Sequence, residues 1–129
     1  MQIAPLENAL KVAQFEYDFA KHGGAIGDIT IDPKLLPAGA KILGGMIDVT
    51  TTFVGATATI AFNVVGAADV LAATAVASFA VDALLDVVPV WTAATAIKVA
   101  ANSPLTMTIA AAALTAGKCT INLFYFVTE

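Results

Sequence analysis

The stretch Thr57-Ala58-Thr59-Ile60-Ala61-Phe62-Asn63-Val64 decides the fold class of this chain. Its even positions are apolar, whereas its odd positions are polar or small. Successive side chains of a strand point to opposite faces, so this alternation places one face on a core and leaves the other lightly packed. A helix would mix the two sets. The pattern therefore predicts that Thr57–Val64 is the central strand of an antiparallel sheet.

The same alternation recurs along most of the chain. In Val12–Phe19, three aromatic residues at period two favour a strand, although an amphipathic helix over Glu7–Lys21 also fits the apolar spacing. The pattern predicts further strands at Ala25–Ile31, Ala40–Phe53, Ala96–Ala101, Leu105–Ala111 and Cys119–Val127. The chain is thus expected to be all-β, an antiparallel, jelly-roll-like β-sandwich with one short helix at most. We expect an N-terminal arm at residues 1–11 and a single sandwich domain at residues 12–129.

Glycine and proline mark the predicted connections. His22-Gly23-Gly24 is expected to form a turn, and the prolines of Asp32–Gly39 predict a loop. Gly44-Gly45, inside a predicted strand, indicates a bulge or a close backbone approach. Residues 67–90 are the least regular. There we predict a short helical turn over Val70–Ala77, capped by Asp69, and then a loop over Val81–Val90. The alternative is that Val70–Phe79 is irregular and contains a small strand.

The composition is unusually apolar for a soluble monomer. The 129 residues are 59% hydrophobic and only 12% charged, and the mean hydropathy is +0.86. A compact chain of this size cannot bury so much apolar surface internally, so part of it should be covered by other subunits. The last predicted strand becomes apolar on both faces at Phe124 and Phe126. We therefore predict that these two residues form a subunit interface.

Charge and polar patterning argue against two classes of partner. The net charge is −4, and the six basic residues are scattered lysines without any arginine, whereas nucleic-acid binding needs a clustered basic face. Val49–Ala68 is uncharged and long enough to span a membrane, but it contains repeated threonines at strand-like spacing. We therefore expect neither a nucleic-acid partner nor a membrane span.

The residues that could carry chemistry are few. His22 is the only histidine and Cys119 the only cysteine, which is too little for a supported general base, a cysteine nucleophile or a zinc site. Gly23–Gly27 lacks the lysine and hydroxyl residue of a phosphate-binding loop. The aspartates do not follow a calcium-loop spacing; they are Asp28, Asp32, Asp48, Asp69, Asp82 and Asp86. The sequence predicts no catalytic, cofactor-binding or metal-binding residue, and hence no enzyme.

The larger aromatic side chains are most simply explained as core. We predict that Trp91 packs in the core, together with the phenylalanines Phe15, Phe53, Phe62 and Phe79. The alternative is an exposed aromatic platform that binds sugar.

Four stretches together resemble small structural proteins of tailed bacteriophages. They are Phe15–Ala20 leading into His22–Gly27, Leu36–Ala40 ahead of Ile47–Thr51, Asp69–Ala75, and Leu114–Lys118 before the last strand. The resemblance concerns the order of strands and turns over most of Phe15–Val127. It carries over no functional residue.

The resemblance implies a capsid decoration (cement) protein of the virion, built as a jelly roll and assembled as a homotrimer. Its expected partners are further copies of itself and the major capsid protein. Its expected location is the head surface, after synthesis in the host cytoplasm. The alternative is a tail- or fibre-associated β-sandwich that binds host glycan or another tail protein.

Overall fold

The computed structural model describes residues 10–127, apart from the side chains of residues 32–34. In chain order the elements are β1 (Lys11–Asp18), a short helix α1 (Phe19–His22), β2 (Gly27–Leu36), β3 (Ala40–Val54), β4 (Thr59–Asn63), β5 (Leu71–Ala75), a 3₁₀ turn (Val76–Ser78), β6 (Leu84–Asp86), β7 (Ile97–Lys98), β8 (Ser103–Ala110) and β9 (Ala116–Val127). The predicted arm at residues 1–11 lies largely outside the described residues, and Lys11 begins β1.

The strands form two antiparallel sheets. The first sheet has the order β1-β9-β3-β6, with β7 also paired to β3, and the second has the order β2-β8-β4-β5. Apolar side chains at every second position fill the space between the sheets: the first sheet contributes Phe15, Tyr17, Ile47, Ile121 and Leu123, and the second contributes Ile60, Phe62, Met107 and Ile109. The predicted all-β sandwich with one short helix is confirmed.

The deciding stretch folds as predicted. Its strand, β4, lies between β8 and β5 in the second sheet, and its apolar residues Ile60 and Phe62 are fully buried. The strand predicted near the N-terminus is β1, so the helix alternative over Glu7–Lys21 is wrong for the described residues. The only helical turn there is α1, which begins after Asp18 because the Asp18 carboxylate accepts a hydrogen bond from the Ala20 N–H.

Proline does not end the second strand as predicted. β2 continues through the first part of the expected loop Asp32–Gly39 to Leu36, with a register shift between Ile31 and Leu35. β2 is an edge strand of its sheet, where a missing backbone donor can face away from the partner strand. The strand therefore absorbs the proline as an irregularity.

The prediction of a helical turn over Val70–Ala77 is wrong. Leu71–Ala75 forms β5, which pairs with β4, and only Val76–Ser78 is helical, as a 3₁₀ turn. Pairing with a neighbouring strand outweighs the weak helix preference of the alanines. Asp69 begins no helix; its carboxylate accepts hydrogen bonds from the N–H groups of Val64, Val65 and Gly66. The predicted loop Val81–Val90 likewise contains a short strand, β6, beside β3.

The glycine pair of β3 behaves as predicted. The register between β3 and β9 shifts between Ile42 and Gly44, which is a bulge. Within residues 10–127, no helix has the length and apolar character that crossing a membrane requires.

Candidate interaction surface

The outer side of the first sheet carries an apolar surface. Strand alternation directs Phe124 and Phe126 of β9 away from the core, and Val12 of β1 and Met46 of β3 point the same way. Trp91, from the loop after β6, lies over this side. We call these five residues the Trp91 face. Trp91 is 56% exposed, Val12 54% and Met46 39%, whereas the two phenylalanines are half-buried.

Hydrogen bonds hold the loop that presents Trp91. The Trp91 N–H donates to the Leu43 carbonyl at 2.7 Å, which ties the loop to β3. The Val90 N–H donates to the Thr95 hydroxyl and the Ala96 N–H to the Thr92 carbonyl, both at 3.0 Å. Trp91 itself has φ +66°, a conformation that costs a residue other than glycine about 1–3 kcal/mol. The surrounding contacts therefore hold Trp91 in a backbone conformation that is unfavourable for it.

Gly44 makes room for the indole. A Cβ atom at this position would lie 2.5 Å from Trp91 Nε1, so only glycine lets the ring rest directly on β3. On the other side, the ring centroid of Trp91 is 5.7 Å from that of Phe124, at an interplanar angle of 36°. The sequence indicated a close backbone approach at Gly44-Gly45, and this is confirmed. It did not identify Trp91 as the approaching residue.

The prediction that Trp91 packs in the core is wrong. Phe15, Phe53, Phe62 and Phe79 are buried as predicted, but Trp91 lies outside the first sheet. No periodic strand pattern surrounds Trp91, because it belongs to a loop. Its position follows from long-range contacts with Gly44 and Phe124.

Charged groups flank the Trp91 face at both ends. At one end, Lys41 of β3 and Lys98 of β7 are direct cross-strand neighbours and line a cleft together with Phe126. Lys41 Nζ donates to the Gly39 carbonyl at 3.1 Å. At the other end, Asp86 of β6 is the cross-strand neighbour of Met46.

Beyond Met46, the outer side of the first sheet is mostly polar, apart from Leu84 of β6, which lies opposite Asp48 and is 62% exposed. The Gln14 amide donates to the Asn122 side-chain carbonyl at 3.1 Å. Glu16 lies 3.8 Å from Lys118 Nζ and 3.9 Å from Lys21 Nζ. Exposed ion pairs such as these contribute little to stability. Polar side chains therefore border the Trp91 face here, with Leu84 as an exposed apolar exception.

His22 has a local structural role. Its Nδ1 accepts a hydrogen bond from the Asp18 N–H at 3.2 Å, and its ring stacks on Tyr17 at a centroid distance of 5.7 Å. The Tyr17 hydroxyl donates to the Gly23 carbonyl at 2.5 Å. These contacts anchor the connection between β1 and β2.

Cys119 lies inside the sandwich. Its side chain is fully buried, and burial raises the pKa of the thiol to about 12. The thiolate, which is the nucleophilic form, is therefore scarce near neutral pH. Within residues 10–127, no three His, Cys, Asp or Glu side chains cluster closely enough to hold a metal ion.

Solved phage capsids contain chains with this fold. The protein is similar to a chain in the acid-stable capsid of Helicobacter pylori bacteriophage KHP30, at 14% identity and a TM-score of 0.65 over 96% of this chain and 92% of that one. It is similar to a chain in the capsid asymmetric unit of cyanophage Pam1, at 19% identity and a TM-score of 0.67 over 99% and 91%. A chain in the capsid of Ralstonia phage GP4 gives 16% identity and a TM-score of 0.68 over 100% and 92%. At these identities, the likeness shows the fold. No family model and no curated protein matches the sequence.

Replacing Gly44 by alanine should displace Trp91. The added Cβ would overlap the indole, and we expect a destabilisation of about 1–3 kcal/mol, the usual cost of overpacking. Trp91 is the only tryptophan, so its emission spectrum reports the displacement directly. Gly66→Ala is the matched control, because its Cβ would meet only the Asp69 carboxylate, at 3.9 Å. An unchanged emission spectrum in Gly44→Ala would contradict the described seat of the indole.

Stability should fall in alkaline solution. Burial raises the pKa of Tyr17 from 10.0 to about 12 and that of Cys119 from 9.0 to about 12. Both groups ionise more readily in the unfolded chain, so the unfolding free energy is fully present below pH 9 and is progressively lost as the pH rises towards 12. Urea unfolding at about pH 8 and about pH 10.5 measures this slope. Cys119→Ala should have a shallower slope, and an equal slope would show that the buried thiol is not a cause.

Proposed function

We propose that the protein is a non-enzymatic structural protein of a bacteriophage virion, and specifically a capsid decoration (cement) protein. The observation that carries the proposal is the fold likeness to chains of three phage capsids, which extends over at least 96% of this chain and at least 91% of each of the others. Because the likeness covers almost all of this chain and almost all of each capsid chain, it extends over whole chains and is not limited to a β-sandwich fragment. Fold alone does not define function, so the surface must supply the rest of the support.

The Trp91 face supports a role in assembly. Contiguous apolar patches on a protein surface mark sites of protein association. Phe124 and Phe126, the residues predicted to form a subunit interface, both lie on this face. We propose that the face contacts other subunits and that the basic unit on the shell is a homotrimer, as in the phage proteins that the sequence resembles.

A decoration protein stabilises a shell by binding across its subunits. Any ligand that binds the assembled state and not the separated state shifts the equilibrium towards assembly. In this proposal, the protein binds the major capsid protein on the head surface after synthesis in the host cytoplasm. A trimer would link several capsid subunits. Once one protomer of the trimer is bound, the effective concentration of the other two at neighbouring binding sites is raised. The shell then resists the pressure of packaged DNA without any chemical step.

One observation favours a second candidate function. Trp91 presents an exposed ring beside Phe124, and exposed aromatic rings can stack on sugars. A tail- or fibre-associated module that binds host glycan would use such a platform; another tail protein is the alternative ligand. Binding to a glycan array that is lost in Trp91→Ala would favour this function. Absence of glycan binding together with shell binding would favour decoration.

Solution mass and shell binding test the decoration proposal. Light scattering on the purified protein should give a mass of three copies or a multiple of three, and the protein should co-sediment with empty capsids. At high protein concentration, Phe124→Ser/Phe126→Ser should weaken the association of copies through the Trp91 face and so lower the average mass, while the circular dichroism spectrum stays that of the folded chain. The control is Ile26→Ser/Val65→Ser, which removes exposed apolar residues attached to the second sheet.

Two outcomes would contradict this proposal. A monomer that stays in the supernatant would exclude decoration of the tested shell. An unchanged mass in the double phenylalanine variant would exclude those side chains as a subunit interface.

A further inference from the structure

The strand pairing arranges the outer side of the first sheet into parallel rows. The middle row consists of Val12, Phe124 and Gly44, with Trp91 lying over Gly44. Two residues further along β9 towards its C-terminal end, a flanking row consists of Phe126, Lys41 and Lys98; we call it the lysine row. Two residues towards the N-terminal end of β9, the other flanking row consists of Asn122, Met46 and Asp86; we call it the aspartate row. The lysine row and the aspartate row are therefore equally distant from the middle row.

This arrangement is self-complementary. A two-fold rotation about an axis along the middle row turns the sheet over and exchanges the two flanking rows. The lysine row of one copy then faces the aspartate row of the other, and the same pairing occurs twice because the contact is isologous. Packing three copies in parallel about an axis along the strands would instead bring lysines close to lysines, and like charges across an interface cost several kcal/mol. The charges thus favour antiparallel, face-to-face pairing.

The charged groups concerned are available for such pairing. Within residues 10–127, neither Lys98 nor Asp86 forms an ion pair, and both side chains are exposed. Lys98 lies directly opposite Lys41 on the neighbouring strand, so the Lys98 ammonium stands beside a like charge. Asp86 of a second copy would place a carboxylate opposite Lys98.

The middle row supplies the apolar contact. Trp91 and Val12 are both more than half exposed, and tryptophan is among the residues that contribute most to interfaces. The Trp91 ring is fixed by Gly44 and by its loop before any partner binds, so little side-chain entropy is lost on association. A face of five residues is much smaller than the roughly 20–30 residues per side of a stable interface. The contact is therefore weak in dilute solution.

We propose that the Trp91 face binds the same face of a second copy, antiparallel, about a two-fold axis along the middle row. This inference goes beyond the proposed function, because it names the partner of the face and the symmetry of the contact. It holds in free solution and does not depend on binding to a shell. On a shell, where neighbouring copies are held close together, the contact would join one trimer to the next.

Charge exchange tests the proposal. Sedimentation equilibrium over a concentration series at low salt should show reversible association, with a blue shift of the Trp91 emission as the ring is buried. Lys98→Asp and Asp86→Lys should each weaken this association at least about tenfold, because each change creates two like-charge contacts in the pair. The double variant Lys98→Asp/Asp86→Lys should restore association to near that of the unmodified protein. So should equimolar mixing of the two single variants.

Matched controls separate the contact from net charge. Lys21→Asp and Asp28→Lys make the same changes of net charge outside the three rows, in α1 and in β2 of the second sheet. These controls should associate as the unmodified protein does. The proposal is overturned if the double variant and the mixture stay as weak as the single variants, or if the controls weaken association equally. Co-sedimentation with empty capsids is measured separately, so a failure of shell binding is distinguishable from a failure of the two-fold contact.

Discussion

The antiparallel pairing of β3 with β9 is the constraint on which the rest of the structure depends. It runs from Ala40 opposite Val127 to Val54 opposite Ala116, and it links β1 on one side to β6 and β7 on the other. Side chains alternate with a period of two, so a slip of one residue would turn Leu123 outward and Phe124 inward. The buried row on the inner side therefore fixes the register, and the register fixes which aromatic rings remain outside.

Strict alternation made the long strands predictable, and its absence explains what was missed. β4 and β9 could be predicted because each buries a complete apolar set on one face. β5 and β6 could not, since they are short and their conformation depends on pairing with β4 and β3. The Trp91 face was predictable in part. Phe124 and Phe126 could be identified from the sequence because they are apolar at strand positions whose earlier members are polar. Trp91 could not, because a loop residue carries no periodic signal and its partner Gly44 lies far away in sequence.

The structure locates part of the apolar excess that the composition revealed. The interior absorbs the alternating residues of both sheets, and other exposed apolar side chains are scattered, some in connecting segments, such as Ile26 and Val65, and some in strands, such as Leu84. The Trp91 face differs from these because the Trp91 ring contacts the ring of Phe124 and rests on Gly44, where any side chain would collide with it. Backbone strain at Trp91 adds to the difference, since an unfavourable φ persists only where surrounding contacts determine it. An exposed ring that packing and a strained backbone hold in one position indicates a surface that binds a partner.

Weakness is a useful property for a contact of this kind. An isologous contact is saturated once two copies have met, so by itself it cannot grow into a filament. Combined with a three-fold unit, it would extend into a net, and a strong version would do so in the host before any shell existed. A weak contact is sparsely populated in dilute solution and is populated chiefly where trimers are already held side by side, because immobilisation raises their effective concentration. In the proposed assembly, the shell thus acts as the template, and most of the two-fold contacts form after decoration has begun.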